Sequence, residues 1–130
     1  MPRSLVWMAL LWCAVACGSA SGRAIHSGIA GRVVAGPTCP VERVPPDPQC
    51  APRPLAAPLR VRRADGSGSG RVVHSSADGR FRVPLVPGRY TIVPLAPNGS
   101  PFPRPPRPIT LTVRAGRYSR VTITYDTGIR

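Results

Sequence analysis

Lysine is absent from this chain, and all 18 basic residues are arginine. That absence excludes a Lys–Asn isopeptide crosslink. Acids are scarce as well. Glu42, Asp47, Asp65, Asp78 and Asp126 are the whole set, and the formal net charge is +13. Nothing among them marks a carboxylate pair for general acid–base work. Asp65 and Asp78 each precede glycine and read as turn formers. Histidine is limited to His26 and His74, which lack metal-ligand spacing. No nucleophile-elbow or phosphate-loop signature occurs. Tryptophan is confined to Trp7 and Trp12, and no helical period follows residue 20. No catalytic residue, metal or cofactor is expected.

The arginine excess has two explanations that can coexist. One is codon bias in a G+C-rich genome, which also favours alanine and proline. The other is selection for anion binding, because the guanidinium fork matches phosphate and carboxylate. Either way, a surface this basic attracts anionic polymers at low salt. The outward arginines of two strand candidates, Arg60, Arg62, Arg80 and Arg82, are the candidate anion-binding residues.

Residues 1–20 read as an export signal. Arg3 is a short positive start, and Leu5 to Val15 is an apolar run too short for a stable membrane span. Ala14-Val15-Ala16-Cys17-Gly18-Ser19 resembles a bacterial lipoprotein signal, with Cys17 as the lipid-accepting residue and a membrane tether. Ala14 stands where that signal usually has Leu. Cleavage after Ala16 or Ala20 with simple secretion is the alternative, and a retained anchor a third. Removing residues 1–20 takes away Arg3 alone and leaves a charge of +12.

Cys39 and Cys50 remain, together with Cys17 where it is kept. In an exported domain Cys39 and Cys50 are expected to form a disulfide. A metal site would need partner ligands that the spacing of His26 and His74 does not supply.

Residues 21–27 read as a linker, 28–126 as the domain and 127–130 as a tail. Gly28 to Val34 is the first strand, where Gly31 suggests a bulge or a close backbone contact. Gly36 to Pro58 is too proline-rich for helix or ladder. Leu59 to Arg63 and Arg71 to Ser76 follow as strands, around a glycine-serine turn whose single carboxylate argues against calcium.

In Asp78 to Val93, Phe81, Val83 and Leu85 alternate with Arg80, Arg82 and Pro84. Val86-Pro87-Gly88-Arg89 then suggests a type II turn, and Tyr90 and Ile92 resume the alternation. A hairpin would pair Leu85 with Tyr90. An arch between facing sheets fits equally, because type II turns splay hairpin strands. Pro84 places its strand at an edge, or its amide position away from a neighbour.

Pro94 to Pro108 is a second proline-rich loop, with a turn expected at Asn98-Gly99. It reads as a stiff loop or a polyproline II ligand. Ile109 to Val113 and Ser119 to Tyr125 alternate again. A three-residue loop at 115–117 would oppose Leu111 to Val121 with matched faces. About seven short strands with frequent turns make an all-β sandwich.

The Gly-x-Val first strand, DGRFRVPL and PGRYTIV resemble the carboxypeptidase regulatory-like domain. That resemblance implies a seven-stranded, Ig-like or prealbumin-like β-sandwich over Gly28 to Tyr125. The GPTCP…PQC insert and the YDTGIR ending are similar to a group of small exported bacterial proteins. The implied role is non-catalytic: a structural or protein-binding module of the envelope. Its expected partner is an envelope protein or an anionic polymer such as teichoic acid, nucleic acid or acidic lipid, with no specific nucleic acid.

Three relatives of this type bear on function. Pilin-type domains crosslink through Lys and Asn, which a chain without Lys cannot do. Transthyretin-like hydrolases end in Tyr-Arg-Gly-Ser, from which Tyr125-Asp126-Thr127-Gly128 departs. That hydrolase, with His74 beside Arg and Tyr in a cleft, is the weakest alternative. Starch-binding sandwiches stack sugars on Trp or Tyr, whereas Tyr90 and Tyr125 alternate as core residues.

Overall fold

The structure, a computed structural model, describes residues 26–130. The export segment and Cys17 therefore lie outside the described residues. Eight strands form two facing sheets: β1 (Gly28–Gly36), β2 (Arg53–Pro54), β3 (Pro58–Arg63), β4 (Arg71–His74), β5 (Arg80–Pro84), β6 (Gly88–Pro94), β7 (Ile109–Val113) and β8 (Tyr118–Asp126). That is one more than the expected seven. The addition is β2, a two-residue strand inside the proline-rich insert.

The first sheet is built on β1. β8 runs parallel to β1 along its whole length, from Gly28 beside Tyr118 to Gly36 beside Asp126. The other edge of β1 is shared. β5 pairs antiparallel with Gly28 to Arg32, and β2 with Val34 and Ala35. The second sheet has the order β4-β3-β6-β7, all antiparallel. β5 is paired only by β1, so Pro84 does sit on an edge strand, where its missing N–H removes no ladder bond.

Period-two alternation fills the space between the sheets. Ile29, Val33, Val83, Ile123 and Tyr125 come from the first sheet, and Leu59, Val61, Tyr90, Ile92 and Val113 from the second. Phe81 and Tyr90 are buried, and Leu85 packs against them from the rim. The ambiguous β4 resolves with Val73 toward the core and Val72 exposed.

Of the two readings open between β5 and β6, the structure takes the arch: the strands lie in opposite sheets, and the chain crosses between them. Gly88 has φ 158°, near-extended backbone, so Pro87-Gly88 is not the centre of a type II turn. The β7–β8 hairpin is likewise an arch. β7 pairs β6 in one sheet and β8 pairs β1 in the other. Val113 and Ile123 still both face the core, but from opposite sheets. Each arch lets one strand complete a ladder that a hairpin would leave open.

Side chains clasp the crossovers. Ser75 Oγ accepts from Ala57 N at 2.9 Å and donates to the Leu55 carbonyl at 2.7 Å. Ser27, within the sequence-defined linker, is buried and donates to the Leu85 carbonyl at 2.6 Å. The C-terminal residues are also tied down. Thr127 N donates to the Gly36 carbonyl at 3.1 Å, and Arg130 Nη2 meets Asp126 Oδ2 at 2.8 Å. Arg130, followed by the Gly128 N–H, pushes the Asp126 carboxyl down to about 2.

Cys39 and Cys50 are joined, with Cα atoms 5.3 Å apart. The bond closes the insert outside both sheets. Reduction should lower stability to denaturant by about 2–3 kcal/mol on the chain-entropy account. It should also speed proteolysis between residues 40 and 49. Denaturant unfolding and limited digestion of the oxidised and reduced chains check both outcomes.

Candidate functional site

The four sequence-nominated arginines do not share one surface. Arg60 and Arg62 project from β3 on the solvent side of the second sheet, in register with Val93 and Thr91. Arg80 and Arg82 project from β5 on the solvent side of the first. The thickness of the sandwich separates the two pairs. Alternation along a strand shows that a residue points outward, but not which outer face it joins.

The structure gives Arg80 and Arg82 different company. Arg32 on β1 lies beside Arg80, and Ala30 lies between Arg82 and Arg120 of β8. With strands about 4.8 Å apart, Arg82 and Arg120 rise roughly 10 Å apart across the small Ala30. Ala30 is only 9% exposed between them. The four guanidiniums thus border a depression of about 500 Å³ whose floor is Ala30 and Gly31.

Sequence reasoning missed Arg32 and Arg120. Both carried a usable signal. Arg120 alternates outward in the last strand, and Arg32 sits three residues after Ile29 in the first. What was hidden is that β1 is central and joins β5 to β8.

Tyr118 organises one side of this face. It stands beside Gly28 across the β1–β8 ladder. A Cβ at Gly28 would lie 2.0 Å from the Val83 carbonyl oxygen and 2.8 Å from the Tyr118 ring, so the β5 backbone and the ring both crowd β1 where glycine leaves room. The Arg82 guanidinium then stacks on that ring, 3.6 Å from its centroid. Stacking holds the guanidinium plane and leaves its N–H edges available to an anion.

Acidic competition is slight. Asp78 Oδ2 lies 3.6 Å from Arg80 Nε, and both side chains are well exposed. The Asp78 carboxyl is held below its ordinary range, first by the Ser76 hydroxyl, then by the Arg80 backbone N–H and charge. Among the described residues, no carboxylate lies within salt-bridge distance of Arg32, Arg82 or Arg120. The face offers donors and positive charge, with Asp78 as the one carboxylate that the described residues place beside it.

His74 does not join it. It is exposed at the end of β4, opposite Pro58, on the other sheet. Tyr90 lies on that sheet's core side and Tyr125 is wholly buried, so neither forms a cleft with His74. Among the described residues, no group of three or more His, Cys, Asp or Glu could hold a metal ion. Asp65 Oδ1 accepts from Ser67 N at 2.8 Å, the turn role expected of it.

No protein-family model matches this chain, and no curated protein does. Among solved structures, the chain is similar to GBS52, the minor pilin of the Gram-positive pathogen Streptococcus agalactiae. The TM-score is 0.57 at 14% identity, over 78% of this chain and 44% of that one. The two share a β-sandwich fold. This chain therefore spans less than half the length of that pilin. The likeness covers the sandwich expected from the sequence and does not extend to the narrower carboxypeptidase regulatory-like assignment.

Proposed function

We propose that this chain is a non-enzymatic structural module of the cell surface that holds or presents rather than transforms. The observation that carries this reading is the sandwich fold, which it shares with a minor pilin. The Cys39–Cys50 disulfide supports an oxidising, extracytoplasmic location. In this reading residues 1–20 direct export and Cys17 is the lipid-accepting residue. The domain, of carboxypeptidase regulatory-like type, then stands at the outer face of the membrane with an envelope protein as its partner.

Fractionation of cells producing the full chain tests the proposal. The chain should be found in the surface or secreted fraction with Cys39 and Cys50 oxidised. Retention of a reduced chain in the cytoplasm would overturn it. So would hydrolysis of a generic substrate panel that is lost on His74→Ala. Mass analysis of the N-terminus decides lipidated Cys17 against simple cleavage.

A second reading, binding of an anionic polymer, has one specific observation in its favour. Arg32, Arg80, Arg82 and Arg120 converge on a single face with one carboxylate among them.

A further inference from the structure

We infer that the solvent face of the β5–β1–β8 sheet binds a base-free polyol-phosphate polymer, a chain of phosphodiester groups on a polyhydroxy backbone. The inference rests on the anion-binding reading and gives it a site and a ligand class. Four features carry it.

The first is multiplicity. Arg32 and Arg80 are cross-strand neighbours, while Arg82 and Arg120 face each other over Ala30. Four guanidiniums around a depression of about 500 Å³ exceed what one small anion can occupy. The site suits successive charges on a chain.

The second is direction. The arginines approach from three strands. A planar carboxylate presents its acceptor lone pairs in one plane, which a single guanidinium fork matches. A tetrahedral phosphate directs its oxygens out of any single plane and can be held from two sides, as Arg82 and Arg120 are placed to do.

The third is preorganisation. Arg82 is stacked on Tyr118 at 3.6 Å. Less rotamer freedom is then lost when its N–H edge meets an oxyanion.

The fourth sets the ligand apart from nucleic acid. Proteins that hold single strands without sequence preference combine a basic groove with aromatic platforms for the bases. The aromatic on this face, Tyr118, is already covered by Arg82. Phe81, Tyr90 and Tyr125 are buried, and Phe102 lies on the loop before β7. Among the described residues, the face offers a phosphate backbone its guanidiniums and offers a base no open aromatic ring.

Binding is measured with the purified, oxidised full chain and a synthetic poly(glycerol phosphate) oligomer at about 0.15 M salt. The comparison probes are poly-glutamate, oligo-dT and inorganic phosphate. Two double variants remove the same charge from opposite faces: R32Q/R120Q from this one and R60Q/R62Q from the other. All four side chains are exposed, and unchanged thermal unfolding confirms that each variant folds. R32Q/R120Q should weaken binding by about tenfold or more and lower the salt dependence by about one log–log unit per lost phosphate contact. R60Q/R62Q should change affinity by less than about threefold. Tyr118→Leu, which frees Arg82, should fall between.

Equal losses from the two double variants would reduce the effect to bulk charge and overturn the site. Absence of binding at this salt would do the same. Tighter binding of oligo-dT or poly-glutamate than of the polyol phosphate would overturn the ligand class. These outcomes are independent of fractionation. A cytoplasmic chain that still binds through Arg32 and Arg120 sinks the surface-module reading alone. A surface chain that fails to bind sinks the site alone.

Discussion

Tyr125→Ala should cost the domain about 3–5 kcal/mol, the range for truncating a large buried aromatic. That is a large share of the roughly 5–15 kcal/mol that holds a domain of this size together. Tyr125 is fully buried on β8, beside Ala35 of β1. Its hydroxyl donates to the Leu95 carbonyl at 2.8 Å, just beyond the end of β6 in the opposite sheet. One side chain thus supplies core volume and a polar link between layers. Tyr125→Phe separates the two roles. It keeps the ring, leaves the Leu95 carbonyl without this donor, and should cost about 1–2 kcal/mol.

The hydroxyl also predicts a pH dependence. Burial pushes the Tyr125 phenol up to about 12, from an ordinary value of 10.0. The folded state therefore holds this proton more tightly than the unfolded chain does. The stability it contributes is fully present below pH 10 and is lost as pH rises through 12. Ionisation also removes the proton shared with Leu95. Urea unfolding followed by circular dichroism from pH 9 to 12 should show wild-type stability falling, with a shallower fall in Tyr125→Phe. Equal slopes in the two proteins would mean that Tyr125 does not titrate in this window.

The burial of Tyr125 was legible before any coordinates, because Val121, Ile123 and Tyr125 alternate with Arg120, Thr122 and Thr124. The same period identified Phe81, Val83, Tyr90 and Ile92 as core. It could not identify neighbours. A hairpin and an arch bury the same side chains and differ only in which backbone receives the ladder bonds. At Val86 to Arg89 the turn chemistry kept both open, and the structure takes the arch. At 115–117 face-matching favoured a hairpin, yet β8 instead follows β1 in parallel. A parallel contact between the first and last strands has no local signal, since it depends on closure of the whole sandwich.

The candidate site inherits that limit. Arg80 and Arg82 were read correctly as outward, and so were Arg60 and Arg62. Their division between two faces followed from sheet membership, which alternation does not encode. Arg32 becomes a member through the β1–β5 pairing and Arg120 through the β1–β8 pairing. Gly28 gains meaning the same way, as the gap over which Tyr118 reaches Arg82. Cys39 and Cys50 were legible because compartment and pairing arithmetic suffice there without topology.

Gly31→Ala should be the second most damaging change, and it links stability to the arginine face. The sequence suggested a bulge or a close backbone contact at Gly31, and the structure shows the close contact. A Cβ there would lie 2.0 Å from the Val121 carbonyl oxygen. The obstacle is backbone of the neighbouring strand, so no side-chain rotation relieves it. β1 and β8 must separate, or β1 must tilt toward the core beside Phe81. Overpacking of this kind costs about 1–3 kcal/mol, with the upper end expected where backbone must move.

The displacement has a direction that can be read separately. Gly31 lies in the register between Ala30 beside Arg120 and Arg32 beside Thr122. Moving β8 away from β1 carries Arg120 away from Arg82 and Arg32, whereas Arg60 and Arg62 on the far sheet keep their places. Gly31→Ala should therefore lower the denaturation midpoint by the stated amount. At temperatures where the variant is still folded, it should also weaken poly(glycerol phosphate) binding severalfold. Ser75→Ala makes a useful control. It removes a buried clasp between the crossovers, at about 1–3 kcal/mol, without touching the β1–β8 ladder. Equal destabilisation with affinity lost only in Gly31→Ala would show that the arginine cluster is held by the spacing of β1 and β8. Equal affinity loss in both would show that it follows stability alone.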